Sequence, residues 1–183
     1  MMKVTVDNQA LSKALAQLAN AGADMRPLMR NIAGTLATET ALNFEDEGRP
    51  AWIPSLAAQE RNGMTLSDTG HLRRSVTTQY DHHSAQIGTN VEYARIHQLG
   101  GTIKHKARNA EHYLRTGKDG NVGHQFVKKS RSNFSRIVSI GAHEQEVVAR
   151  PFLPVSPSRQ LQPGVEQKLL RNALTYLENA AKS

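Results

Sequence analysis

The chain has 183 residues, a net charge of +7, 38% hydrophobic residues and no cysteine. That length suits one globular domain, residues 1–183, burying about 70% of its unfolded surface, and the missing thiols exclude disulfides and thiolate metal centres and suit a reducing cytoplasm. No apolar run approaches the roughly twenty residues of a spanning helix, and no signal-like apolar segment opens the chain. No membrane partner is therefore expected, and the protein is expected to be made soluble in a cytoplasm.

Lys3 to Val6 alternates as a short strand does, and Asp7 or Asn8 then caps a helix in which Leu11, Leu15 and Leu18 recur at helical spacing until Gly22. Asp24 opens a second helix with Pro27 in its first turn, where a missing N–H costs nothing. Leu28, Ile32, Leu36 and Leu42 or Phe44 form its expected buried stripe, and Gly48 stops it. The only tryptophan, Trp52, stands between Pro50 and Pro54, and its expected role is to anchor that loop to the body; an interface role is the alternative. A helical turn at 56–61 is followed by Asn62-Gly63 and by a polar linker, Leu66-Ser67-Asp68-Thr69-Gly70.

Residues 75–88 read as a β-hairpin: Val76, Thr78 and Tyr80, then the turn Asp81-His82-His83-Ser84, then Ala85 and Ile87. Neighbouring strand side chains point to opposite faces, so His82 and His83 are expected to be solvated and not to share a metal ion. A short helix over 91–99 would put Tyr93, Ile96 and Leu99 on one face, with Arg95 and Gln98 off it, and Gly100 as its left-handed stop. His97 then reads as a helix-end histidine favoured by the negative end of the dipole.

Between Lys104 and Arg136 lie nine of the 23 Lys and Arg, against only Glu111 and Asp119. That surplus equals the net charge of the whole chain, so the basicity is one localised feature: a basic arm or long hairpin inserted at 104–136, partly disordered when isolated. Residues 136–140 and 144–148 look like two strands around a Gly141-Ala142-His143 turn. After Ala149-Arg150-Pro151-Phe152-Leu153, Pro154 and Pro157 forbid regular structure, and Pro163-Gly164 leads into a last helix with Val165, Leu169, Ala173, Tyr176 or Leu177, and Ala180 on one side.

Strands cluster in mid-chain and helices at the ends, so the expected fold is α+β. An antiparallel sheet of four to five strands, built from 75–88 and 136–148, would pack against the helices at 8–21 and 24–44, with the basic arm extending from it. No nucleophile elbow, Walker loop or paired His and Glu at metal spacing occurs, so neither catalysis, cofactor nor metal is expected.

Five pieces, in order, carry a resemblance: Pro50-Ala51-Trp52, Leu66-Ser67-Asp68-Thr69-Gly70-His71-Leu72, Ile87-Gly88-Thr89-Asn90, Tyr93-Ala94-Arg95-Ile96-His97-Gln98-Leu99-Gly100-Gly101 and Ala149-Arg150-Pro151-Phe152-Leu153. Together they resemble the phage virion morphogenesis family, the tail-completion proteins of Mu-like and P2-like phages and prophages. The departure is at Val148-Ala149, where the family more often has Pro-Ala. The resemblance implies a structural virion protein of the tail or neck, made in the host bacterial cytoplasm, that completes the tail and supports head–tail joining without catalysis.

A protein so placed is expected to form a ring on the axial channel and to meet tail and head–neck proteins. The expected subunit contact, or its support, is Tyr93, Arg95, Ile96 and His97 with Arg150, Pro151 and Phe152. The alternative function is a sequence-independent nucleic-acid-binding module. In it Lys104, Lys106, Lys128, Lys129 and Arg131 would meet DNA phosphates, or an acidic protein instead, with Tyr113, Phe126 and Phe134 available to stack. A histidine-dependent nuclease ranks third.

Overall fold

The computed structural model describes residues 9–182; the expected strand at Lys3 to Val6, the cap at Asp7 or Asn8 and the Leu11 side chain lie outside what is described. The chain divides into two compact units, Met1–Gly100 with Val148–Ser183, and Gly101–Val147.

The first unit begins with α1 (Gln9–Ala23) and α2 (Arg26–Glu45), the latter with Pro27 in its first turn as expected. Its buried positions are Leu28, Ala33, Glu39, Thr40, Asn43 and Phe44, so the stripe turns polar halfway along, and Ile32, Leu36 and Leu42 are only half-buried. Short helices α3 (Leu56–Glu60) and α4 (His71–Ser75) follow. Ser55 caps α3 by accepting from Ala58 N at 3.2 Å, and α4 starts after Gly70 at φ 71° inside the expected linker.

The hairpin β1 (Thr77–Tyr80) and β2 (Ala85–Gly88) pairs Thr77 with Gly88 and Tyr80 with Ala85, so its turn is Asp81-His82-His83-Ser84, as the sequence indicates. The Asp81 carboxylate closes that turn, accepting from His83 N, Ser84 N and Ser84 Oγ at 2.7–2.8 Å; these bonds hold it below the usual carboxylate range. The hairpin packs on α2. Helix α5 (Ala94–Leu99) ends at Gly100, whose φ of 71° makes it the left-handed stop expected.

Helix α6 (Val165–Lys182) lies against α1 and α2. Asn172 Nδ2 donates to Thr35 Oγ1 at 2.7 Å, and Tyr176 Oη donates to Ala21 O and Asp24 O at 3.0 and 2.7 Å. Tyr176, not the exposed Leu177, is therefore the inward residue of the last turns.

The core of this unit is a cluster of Phe44, Trp52, Leu72, Ala94 and Phe152, with Leu66, Val76, Val91 and Leu153 packed around it. Phe44 meets Trp52 edge-on at 6.0 Å and Phe152 at 5.6 Å between ring centroids. Three aromatics of about 150–250 Å² each supply most of its apolar burial. Trp52 is the loop anchor: it is 7% exposed and its Nε1 donates to Pro151 O at 3.1 Å. Gly48 makes room for it, since at φ 99° a Cβ there would collide with the indole Cδ1.

The second unit departs from the sequence reading. Its strands are β3 (Gly101–His105), β4 (Arg108–Leu114), β5 (Phe134–Ile140) and β6 (His143–Val147). β5 and β6 do not pair with each other around Gly141-Ala142; β5 pairs with β4 and β6 with β3, both antiparallel. His105 opposite His143 is followed by Arg108 opposite Ile140, three residues on along each strand, so both ladders keep one register. Among the described residues the sheet of four to five strands is not formed; the strands make three two-stranded sheets. The Gly-Ala-His turn is a local signal, and the longer ladders override it with twelve residue pairs in one register. Leu114 is the buried side chain of this unit, whereas Phe126 and Ile137 are 68% and 75% exposed.

Candidate assembly site

Arg150 to Leu153 has no regular structure, so its backbone groups need partners from elsewhere in the fold. Gln98 supplies two of them and one just beyond: its Oε1 accepts from Phe152 N and Leu153 N, both at 3.0 Å, and its Nε2 donates to Val155 O at 2.7 Å. Asn43 Nδ2 donates to Phe152 O at 3.0 Å, and His97 O accepts from Arg150 N at 2.6 Å. Arg150 is itself 9% exposed, with its Nε donating to Ile53 O at 2.8 Å. Arg150 and Phe152 are thus interior residues that tie this segment to α2, α5 and the Trp52 loop, and Pro151 is half-buried beneath the Trp52 indole.

The face of α5 that carries Tyr93, Ile96 and Leu99 is not the one it buries. Ala94 and Gln98, four residues apart, face inward, while Tyr93 and Leu99 are 46% and 43% exposed, Arg95 is exposed and Ile96 half-buried. An apolar count groups Tyr93, Ile96 and Leu99 on one face and leaves Gln98 off it. The fold buries a glutamine instead because its amide oxygen and its amide nitrogen both find partners there, which offsets the cost of burial.

His97 is half-buried, lies edge-on to the Tyr93 ring at 5.8 Å between centroids, and has no hydrogen-bond partner on Nδ1. Burial, and then the charge of Arg150, push its pKa below the usual imidazole value. His97 does stand in the last turn of α5, as expected, but the neutral ring is favoured there. Together with Arg61, Asp68, His71 and Leu72 it lines a polar cavity of about 230 Å³ under Tyr93, where the 66–72 and 93–101 motifs meet.

A second polar cluster locks α2 to α6. Glu39, 3% exposed, accepts from Arg49 at 2.9 Å and from Lys168 at 2.5 Å, and Arg49 Nε also donates to Asn43 Oδ1 at 3.0 Å. Burial would raise the Glu39 pKa, but the bonds and charges of Lys168 and Arg49 outweigh it and hold the carboxyl below its usual range.

The five basic candidates lie in the second unit and do not converge on one spot. Lys104 lies on β3, paired with Glu144 at 3.2 Å, and Lys106 follows β3. Lys128 caps, and Lys129 and Arg131 begin and end, a 3-10 turn near the far end of the β4–β5 ladder, where Lys129 Nζ lies 5.7 Å from the Tyr113 ring. Seven ladder pairs separate the two groups, about 20 Å at 3.4 Å per residue. His82 Nδ1 lies 2.9 Å from Asp24 Oδ1, and among the described residues no three His, Asp or Glu converge as a metal site.

Four of the five motifs each place one residue in the core cluster: Trp52, Leu72, Ala94 and Phe152. The fifth joins through Thr89, whose hydroxyl lies 2.6 Å from Ser75 Oγ. The model of the phage virion morphogenesis family matches residues 6–171. The chain belongs to the phage virion morphogenesis family. Mu-like prophage FluMu G protein 2 of Haemophilus influenzae is 45% identical over 102 residues, covering 55% of this chain and 72% of that protein. Putative capsid assembly protein G of Escherichia phage Mu is 35% identical over 113 residues, with 55% and 72% covered. No solved structure matches the chain. In this family member no helix among the described residues is long and apolar enough to cross a membrane.

Sequence reasoning passed over Gln98, Asn43 and Glu39, which organise the site. For Asn43 and Glu39 the signal was present, as polar residues on positions that helical periodicity assigns to the inner face of α2; for Gln98 periodicity pointed away.

Proposed function

We propose that this virion morphogenesis protein completes the phage tail and supports head–tail joining as a ring in the tail or neck, acting structurally and not as an enzyme. The observation that carries this is the family match over residues 6–171. The name of the phage Mu relative, a putative capsid assembly protein, supports a role in building the particle. The subunit contact falls on the outer side of α5, where Tyr93, Arg95 and Leu99 are exposed and Ile96 half-buried, while Gln98 braces the helix from within. His97, Arg150, Pro151 and Phe152 support that contact from below. The test is sedimentation of Arg95→Glu alongside a particle reconstruction. Loss of the ring by a folded variant is expected, and an unchanged ring, or density placing the chain outside the tail and neck, would refute the proposal.

A second reading rests on where the charge lies: all five basic candidates are in the 101–147 unit and exposed. Spread over about 20 Å, they would track phosphates without reading sequence. A Lys128, Lys129 and Arg131 to Ala variant should then lower the log–log salt slope of duplex binding by about 0.9 for each lost contact. Equal slopes would assign the surface to an acidic protein neighbour.

A further inference from the structure

Helix α6 has two apolar faces, and among the described residues only one is used within the chain. Val165 is buried and Leu169, Ala173, Tyr176 and Ala180 are half-buried on the inner face. Leu170, Leu174 and Leu177 are 57%, 60% and 43% exposed. With Ala181 these outer residues recur at intervals of four, three and four, the alternation of a coiled-coil seam. Scattered exposed leucines are ordinary, but three aligned on one helix form a patch that association would remove from water.

The flank of this ridge supplies a reason for its occupant to be another copy of the chain. Arg171 and Glu178 lie seven residues apart at equivalent seam positions, and neither forms an ion pair among the described residues. If two such helices run antiparallel about a two-fold axis, Leu174 layers against Leu177 of the second copy and Leu170 against Ala181. Arg171 of each copy then reaches Glu178 of the other, at both ends of the contact. Such self-complementarity is what a two-fold contact requires. A parallel pair would instead set Glu178 beside Ala173 and align the two helix dipoles unfavourably.

We propose that α6 is a self-association surface, on which two copies pair through antiparallel α6 helices with Leu170, Leu174 and Leu177 interdigitated. This contact uses none of the α5 residues of the proposed ring. It would pair two rings, or two free chains, alike.

The test is sedimentation velocity on the full-length chain and three variants, each checked for native circular dichroism. Leu174→Glu should halve the mass of the associated species. Arg171→Glu, which sets like charges opposite each other twice, should weaken pairing by roughly tenfold. Adding Glu178→Arg to Arg171→Glu should restore it, which a residue with only a local structural role would not do. Arg95→Glu separates the two contacts, since it should abolish a ring and leave the α6 pair intact. The proposal fails if Leu174→Glu leaves the mass unchanged, or if the double variant pairs no better than Arg171→Glu. It also fails if Leu174→Glu lowers the unfolding temperature without changing mass, which would mean the chain itself covers the ridge.

Discussion

Replacing Gln98 by alanine should unfold this protein far more readily than replacing its apolar neighbour Leu99. The Gln98 amide satisfies three backbone groups of the 152–155 stretch, Phe152 N, Leu153 N and Val155 O, at 3.0, 3.0 and 2.7 Å. Truncation leaves all three without that partner, and a buried backbone group left unpaired costs about 1–3 kcal/mol. Only Phe152 is fully interior, while Leu153 and Val155 are half-buried and can recover some water, so the expected loss is about 3–4 kcal/mol. For a chain of this length each kcal/mol moves the melting midpoint by about 2–4 °C, giving a fall near 10 °C. Leu99 is 43% exposed, so Leu99→Ala should cost no more than about 1 kcal/mol. Urea titration of both variants, with m-values compared to confirm a common two-state reference, measures the difference directly. A larger loss for Leu99→Ala than for Gln98→Ala would refute the inward orientation of Gln98 and restore the face chosen by apolar periodicity.

Arg150→Glu should unfold or aggregate, since it removes the bond to Ile53 O and places an unpaired carboxylate at a 9% exposed site, whereas Arg95→Glu should keep the wild-type circular dichroism and melting curve. Gly48→Ala should cost at least about 1–2 kcal/mol, because it forces an L side chain to φ 99° and into Trp52; intrinsic Trp52 fluorescence shifting with the melting midpoint would check it. Glu39 has a folded-state pKa below its ordinary 4.5, so the stability it contributes is present above that value and is lost as pH falls through the lower folded value. Chemical denaturation from pH 6 to pH 3 should therefore give a flatter acid limb for Glu39→Gln than for wild type, and identical limbs would refute the coupling. For His97, also depressed, the sign is such that the unfolded chain takes up the proton first as pH falls below 6.5; His97→Gln should remove that part of the stability loss.

The local elements of the first unit were legible from residue order, and so was the family. Pro27 in a first turn, Gly100 as a stop and Asp81-His82-His83-Ser84 between alternating residues depend on backbone stereochemistry within a few residues, and the structure keeps all three. The five motifs were legible as a resemblance, and the structure shows a physical basis for four of them in one cluster around Phe44. Strand pairing in the second unit was not legible. The Gly141-Ala142-His143 sequence offers a turn, and only the register running from Gly101 opposite Val147 to Leu114 opposite Phe134 rejects it.

The sequence by itself determined where helices start and stop, where the charge collects and which family the chain resembles, because these follow from short-range sterics, composition and motif order. Tertiary structure alone decided which face of α5 is inside and what Arg150 does. Burial of a polar side chain depends on partners 54 to 57 residues away, as Gln98 has in Phe152 and Val155, or 97 away, as Arg150 has in Ile53. Hydrophobic periodicity prices Gln98 as a solvated residue because it cannot see those partners, and once they are in place a satisfied amide costs the core little.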